Sequence, residues 1–290
     1  MGLINKIRQF GELVMFSHTL FSLPFAAVSM IWAAEGLPSA RLVFWILVAL
    51  FAGRNAANAI NRVIDADYDK ENPRTAGRQI PQGKVKKSEA IILTTVLLAV
   101  FVFAAYQLNF LCFALSPLAI ALFLLYSYTK RWTWACHLIL GVICAGAPVG
   151  AWIAVTGKFA LTPLILAAGV TFWIAGFDTL YGTQDNDFDK SVGLHSIPER
   201  FGLKNALLIA KLFHVFAWGF FFLAGALGGI GWLYLVGMII IAFLLSIEHH
   251  IVEPANHGIM NWASYHINQI VSILYLTMAL LDAWIIGRIG

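Results

Sequence analysis

Long apolar runs separated by short polar connections make up nearly all of the chain, and several of these runs contain no ionisable carboxylate, lysine or arginine. Residues 90–129 lack Asp, Glu, Lys and Arg altogether, as do 132–157 and 212–247. A helix needs about 20 mainly apolar residues to cross a bilayer, and backbone amides in lipid must be paired within a helix or a closed barrel. Unbroken runs of this length select helices. Reading each run in turn predicts about nine spans, at 12–33, 42–62, 89–107, 110–129, 134–156, 161–182, 204–226, 230–250 and 263–287. The expected fold class is therefore an all-α integral membrane bundle, with residues 1–290 as a single domain. The first run is too long for the apolar core of a signal peptide and is followed by further spans, so it reads as a retained helix.

Composition agrees with a lipid environment: 60% of residues are hydrophobic and 12% charged, with a mean hydropathy of +0.79, against about 25% charged in a soluble domain. The basic residues are distributed unequally. Apart from Arg54 and Lys211, which lie within spans, 17 basic residues sit in connections or at span ends, and 14 of them fall on one side of the predicted topology: Lys6, Arg8, Arg62, Lys70, Arg74, Arg78, Lys84, Lys86, Lys87, Lys130, Arg131, Lys190, Arg200 and Lys204. The opposite side has Arg41, Lys158 and Arg288. Under the positive-inside rule the first side faces the cytoplasm, with the N-terminus inside and the C-terminus outside. The net charge of +4 is thus a topology signal. It says nothing for nucleic acid, which is not expected as a partner, because the cations are spread over juxtamembrane loops with no soluble binding module. Cys112, Cys136 and Cys144 all fall within predicted spans and have no zinc or disulfide spacing.

Two connections are long, 63–88 and 183–203, both on the basic side and both rich in carboxylates. Arg54, Asn58, Asn61, Asp65 and Asp69 fall on one helix face at 100° per residue. An arginine within a span costs about 2.5–3.5 kcal/mol on insertion scales, so Arg54 should face a wet cavity or a protein interior. Asp178, Tyr181, Asp185 and Asp189 form a second stripe at the end of the sixth predicted helix. Either stripe alone fits a solvated helix end. Together, two carboxylate pairs spaced i, i+4 would repel one another unless divalent cations lay between them, and hard oxygen ligands with room for water and phosphate suit magnesium (Mg2+). Asp67 and Asp187 point off these faces, toward solvent.

Arg74 and Arg78 lie in the turn-rich run Asn72-Pro73-Arg74-Thr75-Ala76-Gly77-Arg78. Guanidinium forks match phosphate oxygens, and Lys130, Arg131 and Lys190 complete the candidate cationic lid. Ordinary membrane anchoring is the competing role for these cations.

These residues carry a resemblance. The chain resembles the UbiA superfamily of intramembrane prenyltransferases, whose signatures N-x3-D-x3-D and D-x2-Y-x3-D-x3-D occur here as Asn61, Asp65, Asp69 and as Asp178, Tyr181, Asp185, Asp189. SHTLFSLPFA at 17–26, NPRTAGRQIPQGK at 72–84, YSYTKRWT at 126–133 and GLHSIPERFG at 193–202 resemble the 4-hydroxybenzoate polyprenyltransferase branch, including relatives of the futalosine route to menaquinone. The resemblance implies a nine-helix bundle under a cytoplasmic cap, in a bacterial-type inner membrane. It also implies magnesium held through a diphosphate by Asp65, Asp69, Asp185 and Asp189, assisted by Asn61. Ser127 departs from the proline that many relatives have after Tyr126.

The expected reaction transfers a polyprenyl chain from its diphosphate to an aromatic hydroxy acid. Asp178 is the candidate acceptor of the phenolic proton, with Tyr181 and Arg54 beside it as catalytic candidates. Tyr126, Tyr181 and Phe177 are candidates for lining the prenyl cavity, and His18 for orienting the acceptor. His249, His250 and His266 are read as structural. A cation-coupled transporter is the rival class, but its ion-binding carboxylates would lie near the bilayer midplane. A lipid phosphotransferase is excluded by the missing D-G-x2-A-R motif.

Overall fold

A computed structural model of the chain describes residues 3–14, 19–229, 231–252 and 257–285. Among these residues the regular structure is helical throughout. The α-helices are α1 (Leu3–Leu13), α2 (Thr19–Ala34), α3 (Ala40–Ile64), α4 (Ala66–Glu71), α5 (Lys87–Leu108), α6 (Phe110–Thr129), α7 (Cys136–Thr156) and α8 (Leu161–Gly182). They continue with α9 (Asn186–Val192), α10 (Ile197–Phe201), α11 (Leu203–Gly228), α12 (Trp232–Ile251), α13 (His257–Trp262) and α14 (Asn268–Ile285). A 3-10 turn, Thr183–Asp185, joins α8 to α9, and a π-helical turn, Ala263–Ile267, joins α13 to α14. Eight helices among the described residues are long and apolar enough to cross a membrane, and Phe21–Ala34 is a shorter apolar ninth. About nine spans were expected, and most boundaries agree to within two or three residues.

Two boundaries differ. The expected span 12–33 is divided: Glu12 belongs to α1, which ends at Leu13, and accepts hydrogen bonds from Arg8 (2.9 Å) and Gln79 (3.3 Å), and the apolar helix is described from Thr19 onward. At the other end, the expected span 263–287 is preceded by α13 and wound into a π turn before α14 begins. His18 and Arg288 lie outside the described residues.

The chain forms two compact units. The first comprises 1–20 and 40–129, with α3 packed against α5 and α6. Small buried residues on α3, among them Ala52, Gly53, Ala56 and Ala59, let the backbones approach. A Cβ at Gly53 would lie 3.1 Å from the Phe101 ring. Ile92, Phe103 and Phe110 remain exposed on α5 and α6, the surface expected of lipid-facing helices. Leu13 at the end of α1 and Val14 just after it pack with Ala59, Val85 and Ala90, and Asn58 donates to the Val14 carbonyl at 2.6 Å.

The second unit comprises 21–39 and 130–290. Its core surrounds Phe25 of α2, whose ring lies 5.1 Å from Trp173, 5.2 Å from Phe221 and 5.1 Å from Tyr275. α8 packs on both α7 and α11, and α12 packs on α14. The approach of α7 to α8 demands glycine: a Cβ on Gly141 would fall 2.2 Å from the Thr171 carbonyl oxygen. The N-terminus of α12 is capped from α14, where the Asp282 carboxylate accepts from the Gly231 and Tyr234 amides at 2.6 and 3.2 Å, satisfying donors left open at a helix start.

Candidate active site

In the first unit the acidic stripe begins on α3 and continues past its end. Asp65 lies between α3 and α4, with φ −93° and ψ 7°. The amides of Asp65 and Asp69 nevertheless bond to the carbonyls of Asn61 and Asp65 at 2.9 and 2.8 Å. This i to i−4 pattern preserves the helical spacing across the break, so Asn61, Asp65 and Asp69 keep the common face expected from sequence. Asn61 donates to Asp65 Oδ2 at 2.6 Å, and its own oxygen accepts from Arg62 at 3.2 Å, which fixes the direction of the amide. Asp69 is buried. Arg78 binds its Oδ1 at 2.5 Å, Thr75 binds its backbone carbonyl at 3.1 Å, and Oδ2 has no hydrogen-bond partner among the described residues. Arg54 is half-buried two turns before Asn61. Arg74 is half-buried in a turn that starts at Asn72, its amide bonded to Asn72 Oδ1 at 2.9 Å.

In the second unit the sequence reading put Asp178, Tyr181, Asp185 and Asp189 on one helix. They occupy three segments: α8 carries Asp178 and Tyr181, the 3-10 turn Asp185, and α9 Asp189. Asp185 has φ −95° and ψ 0°, the same sparsely populated conformation as Asp65 and one in which many active-site residues occur. Asp185 and Asp189 are buried, with 4% and 1% of their surface exposed, so these carboxylates require cations. Lys130 supplies one, at 3.2 and 3.4 Å from the two oxygens of Asp189. Burial lowers the Lys130 pKa, but the Asp189 and Asp185 carboxylates outweigh it, and the net displacement is upward from the usual lysine range. Lys130 therefore remains charged throughout the neutral range.

Asp178 Oδ2 lies 2.7 Å from Nδ1 of His137 on α7. One residue away, Phe177 stacks on Phe21 at 5.6 Å and meets Trp173 edge-on at 5.4 Å; Phe21 in turn meets Tyr265 at 5.4 Å. Phe177, Phe21, Trp173 and Tyr265 thus form a group of aromatic faces, surfaces that can stabilise cationic character in a ligand.

Not every sequence-predicted residue is drawn into these clusters. Lys190 stays exposed on α9; Arg131 and Tyr181 are half-buried. Asp67 and Asp187 are exposed, as their off-face positions imply. Two residues were missed. Arg62, read from sequence only as a topology signal, is buried and orients Asn61. His137, a lone histidine at the start of an apolar run, holds Asp178; no sequence signal separates it from a packing histidine.

The donors of each stripe, taken by itself, fit a hard divalent cation. Both stripes offer carboxylate oxygens, and Asp69 presents a buried oxygen with no hydrogen bond from the described residues.

Fold and sites together define a multi-span helical membrane protein whose helix ends carry two aspartate-rich stripes, each set against a loop cation. The chain belongs to the UbiA prenyltransferase family, whose profile matches residues 22–272, and it is an enzyme of that class. It is 32% identical over 245 residues to a 4-hydroxybenzoate octaprenyltransferase of Shewanella pealeana, covering 84% of this chain and 81% of the relative. It is 28% identical to the enzyme of the same description from Shewanella halifaxensis over 281 residues, 97% of this chain and 95% of the relative. Among solved structures, a UbiA homologue from Aeropyrum pernix K1 matches with a TM-score of 0.84 and 31% identity, covering 92% of this chain and 98% of that one. A UbiA homologue from Archaeoglobus fulgidus bound to GPP and Mg2+ shares the fold, with a TM-score of 0.71 and 18% identity over 95% of this chain and 99% of that one.

Proposed function

We propose that this prenyltransferase transfers a polyprenyl chain from polyprenyl diphosphate to an aromatic hydroxy acid, 4-hydroxybenzoate or 1,4-dihydroxy-6-naphthoate, in respiratory quinone biosynthesis. The observation that carries this reading is the pair of aspartate stripes, each with an Asp in the same φ/ψ region and a distal buried Asp paired to a cation. Asp65 and Asp69, helped by Asn61, and Asp185 and Asp189 would hold magnesium; when bound, it neutralises the diphosphate and stabilises it as a leaving group. Arg74, Arg78, Lys130, Arg131 and Lys190 bind phosphate oxygens, and Arg54 supports the first stripe from within α3. Asp178, oriented by His137, accepts the phenolic proton as a ring carbon bonds to the prenyl C1 and the C1–O bond to diphosphate breaks. The ring hydrogen then moves to oxygen and aromaticity returns. Phe177 and its aromatic neighbours exclude water from the allylic centre while it carries positive character.

The named function of the relatives supports an acid acceptor, as does a rim of cations that attracts carboxylates. The family match runs through both units, which supports one functional domain over residues 1–290. The basic loops support a cytoplasmic opening in a bacterial-type inner membrane. Purified protein incubated with several prenyl diphosphates and a panel of aromatic acids, with products identified by mass spectrometry, tests the acceptor. Prenylation of either acid is expected; alkylation of homogentisate or a porphyrin alone would overturn it.

A further inference from the structure

Inside the second unit, far along the sequence from either aspartate stripe, three ligand-type side chains converge where an apolar bundle should have none. His214 lies on α11, and Glu248 and His249 lie in the last turn of α12. His214 is 2% exposed and Glu248 fully buried. His249 Nε2 lies 2.9 Å from His214 Nδ1, which in turn lies 3.5 Å from Glu248 Oε2, and one ligand atom from each residue falls within 4.8 Å of the others. Tetrahedral zinc with bonds of about 2.0–2.1 Å separates its ligands by about 3.3 Å, so these spacings need only small adjustment.

The surroundings hold this cluster in place. Asn268 donates to Glu248 Oε1 at 2.7 Å and is itself held by the Trp173 indole, whose N–H donates to Asn268 Oδ1 at 2.7 Å. Such outer partners orient the ligands of metal sites. Asn268 directly follows the π turn 263–267, a deformation that recurs at functional sites. A Cβ at Gly176 would fall 2.2 Å from the His214 ring, so glycine makes the recess in which the imidazole sits. Glu248 Oε2, buried and without a hydrogen-bond partner among the described residues, points toward His214. A fully buried carboxylate with one oxygen unsatisfied is costly, and a cation at this point would resolve it.

We propose that His214, Glu248 and His249 bind one divalent transition-metal ion of the zinc type, which ties α11 to α12. The donors are two imidazoles and one carboxylate, a set suited to zinc or ferrous iron rather than magnesium. His249, partly exposed, leaves the ion a way in. The role is structural, distinct from the prenyl-transfer residues, so failure of the acceptor assay would leave it standing.

The test uses full-length protein in detergent, stripped with EDTA, titrated with zinc in excess magnesium and passed through gel filtration before elemental analysis. One retained zinc per chain is expected, together with a rise in Tm on adding zinc. Glu248→Gln, which keeps an oxygen for Asn268, and His249→Ala should each weaken binding at least about tenfold and abolish the Tm rise. Asp65→Asn and Asp185→Asn should retain the ion, as should His250→Ala. Absence of zinc from the folded wild type, its retention by both Glu248→Gln and His249→Ala, or its loss in His250→Ala would each overturn the proposal.

Discussion

His137 Nδ1 reaches Asp178 Oδ2 at 2.7 Å because residue 182, one turn further along α8, is glycine: a Cβ there would lie 2.8 Å from His137 Cε1. Imidazole, carboxylate and glycine form one device spanning α7 and α8. Asp178→Ala should lower kcat about 100-fold, at the lower end of what a general base contributes, with little change in KM for the prenyl diphosphate. His137→Ala should act in the same direction by about tenfold, since it displaces the base without removing it. Equal losses in KM and kcat would contradict this assignment; steady-state kinetics with each substrate varied in turn separates the two.

Removal of a proposed metal ligand should behave differently. Asp65→Asn and Asp185→Asn preserve shape and the backbone bonds on either side, yet each removes a charge assigned to magnesium. Transfer should fall about 100-fold or more, the equivalent of about 2.8 kcal/mol or more at about 1.4 kcal/mol per tenfold. Gel filtration should show an unchanged folded peak. If both variants keep more than about a tenth of wild-type turnover, which is less than 1.4 kcal/mol of lost stabilisation, the carboxylates are not metal ligands.

A third expectation concerns packing alone. Gly141→Ala places a methyl group 2.2 Å from the Thr171 carbonyl oxygen, and backbone atoms cannot rotate aside as a side chain can. The α7–α8 pair must separate, at a cost of about 1–3 kcal/mol. A lower Tm than wild type by thermal unfolding in detergent is the expected reading. Gly146→Ala, where a Cβ would meet nothing within 4 Å, should leave Tm close to wild type.

Orientation in the membrane is open to direct measurement. In a background where Cys112, Cys136 and Cys144 are replaced, Lys86→Cys should react with a membrane-impermeant thiol reagent only from the cytoplasmic side of sealed vesicles. Lys158→Cys should react only from the other side. The reverse pattern would invert the topology drawn from the basic loops.

Much of this architecture is legible in the sequence because lipid imposes a simple rule: apolar runs of sufficient length become helices. The stripes are legible because hydrogen bonding through Asp65 keeps the i, i+4 spacing even where α3 gives way to α4. The break itself is invisible, since period alone cannot distinguish a continuous helix from one interrupted without loss of register. The division of 12–33 into α1 and α2 escapes for a related reason: hydropathy does not reveal that Glu12 pairs with Arg8 and Gln79. His137 and His214 escape because a histidine's role depends on a partner from a distant helix, Asp178 in one case and Glu248 with His249 in the other. His249 was read as structural on the same grounds.

The order in which the chain is made bears on the placement of α2. Its flanking helices α1 and α3 pack in the first unit, whereas α2 packs in the second against Trp173, Phe221 and Tyr275. Helix α2 leaves the ribosome early, but its last aromatic partner follows 250 residues later. At roughly 5–20 residues per second, that is an interval on the order of ten to fifty seconds. During biogenesis α2 must therefore wait in the bilayer with the Tyr275 contact of Phe25 unmade, and this part of the second unit closes only when α14 arrives. Truncation before α14 would leave the earliest part of this unit without its final neighbour.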